Sequence, residues 1–191
     1  MKRVGWTKLD KTGYAVSKSL LRRIRKIITQ HGCRRICETG SGCSTLFFAD
    51  YCLKNNVSYY SLETEKKYRR RTQKWLRLHE MDSMSDRVLL VKVNQLNSND
   101  FRFVIPDVLG DIDFLFIDGP SDKTYGRRGV LFSLWANLAE ESFVLIDDSN
   151  RKSAQKDIEA WSHTFGNLFC HIKTYKFGKR KSSLWKVNKV N

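Results

Sequence analysis

The order of elements written in this chain predicts a doubly wound α/β domain built on a mostly parallel sheet. Three observations carry that reading. Five apolar runs of strand length, at about 34–38, 57–62, 87–93, 112–118 and 142–148, alternate with segments of helical period, and strands alternating with helices pair in parallel. The first run passes directly into Glu38-Thr39-Gly40-Ser41-Gly42, a glycine-rich turn opening a helix, where such sheets receive ligands. The last two runs, Phe169 to Phe177 and Ser183 to Val190, are joined by Gly178-Lys179-Arg180-Lys181 and read as an antiparallel hairpin.

Taken in order, residues 1–13 are polar, carry Trp6 and Leu9, and form an arm ahead of one domain spanning 14–191. A chain of 191 residues is of ordinary single-domain size. From Val16 onward Leu20, Leu21, Ile24, Ile27 and Ile28 recur at the spacing of a helix that buries one face, and Gly32 ends it. A helix over about 44–54 follows the glycine turn, then strand 57–62 and a basic helix over about 65–80 with Trp75 and Leu76 turned inward. Strand three is Arg87 to Val93. A helix through Gly129 to Leu138 separates strands four and five, and a helix over Lys152 to Thr164 precedes the hairpin.

Hydrophobic residues make up 41% of the chain and aromatics 12%, which excludes wholesale disorder. No apolar run is long enough to cross a bilayer, and Met1-Lys2-Arg3 is followed by no apolar signal segment, so a cytoplasmic location is expected. Five cysteines, odd in number and without a Cys-x-x-Cys pair, read as reduced thiols rather than a disulfide framework or zinc site. The net charge is +15, from 35 Lys and Arg against 20 Asp and Glu. Basic clusters at Arg22-Arg23-Arg25-Lys26, Lys66-Lys67-Arg69-Arg70-Arg71, Arg127-Arg128 and Lys179-Arg180-Lys181 are either solvated faces or contacts for a polyanion such as nucleic acid.

The turn itself carries chemistry. Gly40 and Gly42 let the chain bend sharply and a ligand approach bare backbone, while the helix beyond presents unpaired N–H groups, with Ser44 or Thr45 as its cap. Glu63 ends the second strand twenty-one residues after Gly42, where a carboxylate grips ribose hydroxyls or, alternatively, caps the next helix with Thr64. A dinucleotide fingerprint wants a third small residue at the helix start, and Thr45 stands there instead. That speaks against a nicotinamide-dependent reductase.

At Glu38, Gly40, Gly42 and Glu63 the sequence resembles the class I S-adenosylmethionine-dependent methyltransferases. Ile112 to Pro120, with Ile117-Asp118-Gly119-Pro120, looks like the family's fourth strand, and Ser142 to Asp148 looks like its fifth. More narrowly, Glu38 to Gly42, Ile117 to Pro120 and Ile146 to Arg151 resemble a group of small, mostly uncharacterised methyltransferases of this class. The resemblance implies a Rossmann-like seven-strand sheet with helices on both faces and S-adenosylmethionine as cofactor. It further implies methyl transfer to an acceptor, with O- or N-methylation of a small molecule favoured. The alternatives are a nucleic-acid methyltransferase, or a non-catalytic basic nucleic-acid-binding module on the same fold.

By the same resemblance Glu38 lies near the methionine end, Glu63 holds the ribose, and the segment after strand three flanks adenine, with Asn94 or Asn97 as its hydrogen-bonding residue. Cofactor contacts are thus expected at Glu38, Gly40, Gly42, Ser44, Thr45, Glu63 and Asn97. Asp118, ending strand four, is the candidate that orients or deprotonates the acceptor. Asp148 and the polar residues Tyr125, Arg127, Arg128 and Arg151 are candidates for holding the acceptor. Catechol-type O-methyltransferases are similar in their strand ends, and Asp118 and Asp148 match two of their magnesium positions. Ser149 stands where the third ligand should be, and no Lys matches that family's base, so no metal is expected. The four histidines are read as structural.

Overall fold

The computed structural model of the chain describes residues 16–97, 100–121 and 125–189; the predicted arm at 1–13 lies outside them. Its main sheet has seven strands in the order β3-β2-β1-β6-β7-β9-β8. They are β1 (Arg35–Thr39), β2 (Ser58–Glu63), β3 (Val88–Leu90), β6 (Ile112–Ile117), β7 (Leu138–Ile146), β8 (Phe169–Phe177) and β9 (Arg180–Asn188). The first five are parallel to one another, while β9 runs antiparallel to β7 and β8. The strand order reverses between β1 and β6, the position at which a doubly wound sheet opens a crevice at its carboxyl edge.

Helices cover both faces. On one, α1 (Lys18–Gln30), α2 (Cys43–Asn55) and α3 (Lys66–Leu78) pack on Ile36, Tyr59, Val88, Phe114 and Phe116 of the sheet. Ser17 caps α1, its hydroxyl accepting from the Leu20 N–H at 3.1 Å, and Leu20, Leu21, Ile24, Ile27 and Ile28 are all buried as the periodicity predicts. The other face holds α4 (Arg128–Leu134) and α5 (Lys152–Phe165) over Leu115, Ile117, Val144 and Ile146. Strand residues thus alternate between two cores, which is why the strands read as continuous apolar runs.

Strand three departs from expectation. Only Val88–Leu90 joins the sheet, beside Ser61–Glu63. After the Val91 N–H donates to the Glu63 carbonyl at 2.8 Å, the chain leaves the sheet. It forms β4 (Val93–Asn97), which pairs antiparallel with β5 (Asp100–Phe103) in a separate ribbon. The ribbon is held because Val91, Phe101 and Phe103 are buried in the second core, against α4. Gly129 permits that contact: a Cβ there would sit 2.1 Å from the Phe101 carbonyl oxygen. The helix expected to run to Leu138 also ends sooner. A single tight turn at Trp135–Asn137 follows α4, and Leu138 already belongs to β7, opposite Ile112.

Candidate active site

Backbone packing at the switch point shapes the site. Gly40 has φ +86°, and a Cβ on it would lie 3.1 Å from the Gly119 nitrogen; a Cβ on Gly119 would lie 2.9 Å from the Gly40 Cα. Only two glycines allow the ends of β1 and β6 to approach this closely. The Gly119 N–H donates to the Thr39 carbonyl at 2.8 Å, the Thr39 hydroxyl to the Gly119 carbonyl at 2.7 Å, and the Gly40 N–H to the Leu62 carbonyl at 2.8 Å. The loop is therefore pinned to both neighbouring strands before it enters α2.

Glu38 is fully buried, and one of its carboxylate oxygens accepts from the hydroxyls of Thr45 and Tyr59. Thr45 in turn accepts from the Gly42 N–H at 2.9 Å, so Glu38 holds the glycine loop through a relay. Its other oxygen, Oε2, is buried without a hydrogen-bond partner. Burial pushes the Glu38 carboxyl up to about 7, against the pull of its hydrogen-bond donors.

Glu63 ties the second strand to the same loop. Its Oε2 accepts from the Ser41 N–H at 3.0 Å and the Ser41 hydroxyl at 2.7 Å, while Oε1 accepts from the N–H groups of Thr64 and Glu65 at 2.8 and 2.9 Å. One oxygen is thus fixed by backbone alone. The other accepts from one backbone N–H and from the Ser41 hydroxyl, which itself accepts from the Thr72 hydroxyl at 3.2 Å.

Across the crevice stand three acids. Asp147 is buried and accepts from the Ser182 hydroxyl of β9 at 2.7 Å. Asp148 has φ +48°, a left-handed conformation rare for a non-glycine residue, and is paired with Arg151 and, at 3.8 Å, with Arg180. Asp118 keeps 31% of its side-chain surface accessible, with the Arg127 guanidinium 3.6 Å away. Desolvation, followed by the charge of Asp147, raises the Asp118 carboxyl to about 7 even though Arg127 pulls it down. Asp147 is raised as well, chiefly by burial. Arg127 is itself buried and donates to the main-chain carbonyls of Asp118 and Asp147, so it braces the ends of β6 and β7.

These groups surround a cavity of about 700 Å³, within the roughly 300–1,000 Å³ usual for ligand clefts. Of the residues singled out from sequence, Gly40, Gly42, Ser44, Glu63, Asp118, Arg127, Asp148 and Arg151 line it. Glu38 and Thr45 stand behind the loop. Arg128 is exposed and gives its carbonyl to the Trp161 indole at 2.8 Å, and Tyr125 is 44% exposed beside Phe101; neither is in the wall. Asn97 lies at the end of β4 in the outlying ribbon, and Asn94, also in β4, is exposed.

Sequence reasoning missed Tyr68 and Arg71 of α3 and Arg180 of β9 as cavity residues. The first two fall one turn apart on a face that the basic run of α3 conceals. Arg180 belongs to a hairpin tip that only the pairing of β9 with β7 brings to the acids. Of the donors that a divalent ion would use, Asp118 faces the cavity with Arg127 at 3.6 Å, Asp148 is paired with Arg151 and Arg180, and the Asn150 side chain bonds the main chain of Lys179 and Lys181. Among the described residues no group of three His, Cys, Asp or Glu is arranged to hold a metal.

A family model described as a methyltransferase domain matches residues 37–149, from β1 to the turn after β7. None of the curated proteins searched gives a significant match. Among solved structures, the chain is similar to an O-methyltransferase from Bacillus cereus in complex with SAH. The identity is 16% and the TM-score 0.66, with 96% of this chain and 87% of that one covered. An SAH-bound methyltransferase from Podospora anserina gives 14%, 0.66, 96% and 85%. A SAM-dependent O-methyltransferase from Thermotoga maritima gives 12%, 0.65, 96% and 70%. At these identities the likeness is one of fold.

Proposed function

We propose, from the premise that this chain belongs to the methyltransferase-domain family, that it transfers a methyl group from S-adenosylmethionine to a small acceptor seated in the cavity. Oxygen is the favoured acceptor atom, since similar folds include O-methyltransferases. The observation that carries the reading is one cavity walled on one side by the Gly40–Ser44 loop and Glu63, and on the other by Asp118 and Asp148.

The residues present fit the cofactor. A Cβ on Gly42 would meet no atom within 4 Å, so the loop leaves room against its backbone, and the start of α2 offers N–H groups to a carboxylate. Glu63 Oε2 takes a ribose hydroxyl in place of the Ser41 hydroxyl, while Thr64 and Glu65 keep Oε1 fixed. Tyr68, Thr64 and Glu65, all in the cavity wall, form the adenine side. Bound, the cofactor supplies an electrophilic methyl carbon with a neutral thioether as leaving group. Asp118 accepts the acceptor's proton; at about 7 its carboxylate is poised to do so near neutral pH. Asp148 and Arg151, in the same cavity wall as Asp118, orient the acceptor, and much of the acceleration comes from that positioning.

Among the described residues no helix is long and apolar enough to cross a membrane. Four of the five cysteines are buried free thiols, and burial pushes Cys33 and Cys52 up to about 12. Such inert thiols suit a reducing cytoplasm, where we place the reaction.

Calorimetry tests the assignment. S-adenosylmethionine or SAH should bind with a micromolar dissociation constant, about 8 kcal/mol, and Glu63→Ala should weaken binding at least tenfold. Tight binding of a nicotinamide dinucleotide, with none of S-adenosylmethionine, would sink it.

A further inference from the structure

Among the helices of this protein the positive charge is concentrated in one layer, while the β8–β9 hairpin carries a second basic stretch. In α1 there are five basic residues and no acid, in α3 seven and no acid, and α2 carries one of each sign, a net +12 on the face made by the three helices. On the opposite face α4 carries one basic residue, and the charges of α5 cancel. Arg22, Arg25 and Lys26 of α1 and Lys66, Arg70 and Lys74 of α3 are exposed, and among the described residues none of them has an ion-pair partner.

This arrangement works against the helices that bear it. Arg22 and Lys26, Lys66 and Arg70, and Arg70 and Lys74 are like charges four residues apart, each pair destabilising its helix. Neither helix has an acid in its first turn, so Lys18 and Lys66 oppose the helix dipole, while Lys67 is paired with the N-cap Glu65 at 2.8 Å. Local stability does not account for a layer built this way; an anionic partner lying across it does.

The layer also leads to the cavity. Val16, at the foot of α1, and Tyr68 and Arg71, in α3, belong to the cavity wall. The Arg71 guanidinium lies 5.0 Å from the Tyr68 ring centroid and 4.8 Å from that of Trp75, and its buried Nε has no hydrogen-bond partner. Both rings are only half-buried, and an arginine stacked on aromatic faces beside a row of cations is the composition used to hold a phosphate backbone with its bases. A membrane surface fits less well, because α1 turns every one of its leucines and isoleucines inward, and the exposed leucines elsewhere in the layer, Leu53 of α2 and Leu78 of α3, are single residues rather than an apolar helix face.

We propose that the α1–α3 layer binds the phosphate backbone of nucleic acid, whether the methyl acceptor is free or carried on the bound strand. The binding does not depend on the cofactor assignment and is measured without it.

The test uses the full chain and a fluorescein-labelled single-stranded RNA of mixed sequence, with anisotropy followed from 50 to 300 mM KCl. Affinity should fall steeply with salt. The quadruple variant Arg22→Gln/Lys26→Gln/Lys66→Gln/Arg70→Gln should bind on the order of a hundredfold more weakly at 100 mM salt. Its log–log slope should be shallower by roughly 0.7 per charge removed. The same variant should melt no lower than the wild type, because it removes like-charge pairs, and should bind S-adenosylmethionine as before. Lys152→Gln/Lys156→Gln on the opposite face should leave the RNA affinity unchanged. An unchanged affinity and slope in the quadruple variant overturns the proposal. So does binding to phosphatidylserine-containing vesicles with no binding to RNA at low salt, which would make the layer a membrane contact.

Discussion

Replacing Asp118 with Asn tests the acceptor side of the site most directly, because the structure predicts both a titration and a rate. The Asp118 carboxyl is raised from 3.8 to about 7, first by desolvation and then by Asp147, with Arg127 opposing. If it takes the acceptor's proton, only its ionised form is competent: about one tenth of molecules at pH 6 and about nine tenths at pH 8. Turnover under subsaturating acceptor should therefore rise roughly tenfold between those values and level off above. In Asp118→Asn it should fall by about a hundredfold or more, with S-adenosylmethionine affinity nearly kept, since the lost interaction belongs to the transition state. The carboxyl can be observed without any acceptor: with ¹³C-labelled aspartate, one resonance should titrate near pH 7 and vanish in the variant. Linkage gives a second reading. The folded value lies above the unfolded one, so this group's contribution to stability is greatest below about pH 4 and is lost as pH rises through about 7. Asp118→Asn should accordingly gain in melting temperature on the wild type between pH 5 and 8. A resonance titrating near 4, or wild-type turnover in the variant, would refute the reasoning.

Three further outcomes follow from the same geometry. Glu38, raised from 4.5 to about 7 by burial, should make the wild type less stable with rising pH by about 3 kcal/mol in all, mostly between pH 5 and 7. Urea titrations of Glu38→Gln should show that dependence reduced, and an identical pH profile in the two proteins would contradict it. Gly119→Ala places a Cβ 2.9 Å from the Gly40 Cα and should cost about 1–3 kcal/mol by urea unfolding, with weakened cofactor binding because the loop must shift; an unperturbed variant would mean that the close approach is not needed. Since Asp148 is already held by Arg151 and Arg180, a chelator should leave turnover unchanged, and its complete loss on adding EDTA would reinstate a metal.

The strand ends were legible because parallel strands buried on both faces must be apolar throughout, so the acid that ends each run marks the sheet edge: Glu38, Glu63, Asp118 and Asp147 all stand there. The break after β3 was not legible. Val88 to Val93 continues the alternation of a strand with no Gly or Pro to interrupt it, and what takes the chain out of the sheet is burial of Phe101 and Phe103 against α4, made possible by Gly129 more than two dozen residues away. Asn97, expected beside adenine in the segment after strand three, stands at the end of β4 in the outlying ribbon. Arg127 shows a different limit. Its position was anticipated, but its guanidinium is occupied by main-chain carbonyls, and a side chain that binds backbone leaves no complementary residue in the sequence to betray the pairing.

Arg180 and Ser182 show how the C-terminal hairpin enters the chemistry. Because β9 runs antiparallel to β7 with Ser183 opposite Ile146, the beginning of β9 is delivered to the acids just beyond the end of β7. There the Ser182 hydroxyl donates to Asp147 and Arg180 approaches Asp148. Asp147, as the charge that helps raise Asp118, is thus itself set by a strand that contributes nothing to the cofactor loop. Ser182→Ala removes a donor that favours the Asp147 carboxylate, so Asp147 should hold its proton more tightly and repel Asp118 less. The Asp118 resonance should then titrate lower than in the wild type, while Asp118→Asn/Ser182→Ala should behave as Asp118→Asn alone. An Asp118 midpoint unmoved by the loss of Ser182 would show that the Ser182–Asp147 contact does not set it, and that the hairpin serves only to close the sheet.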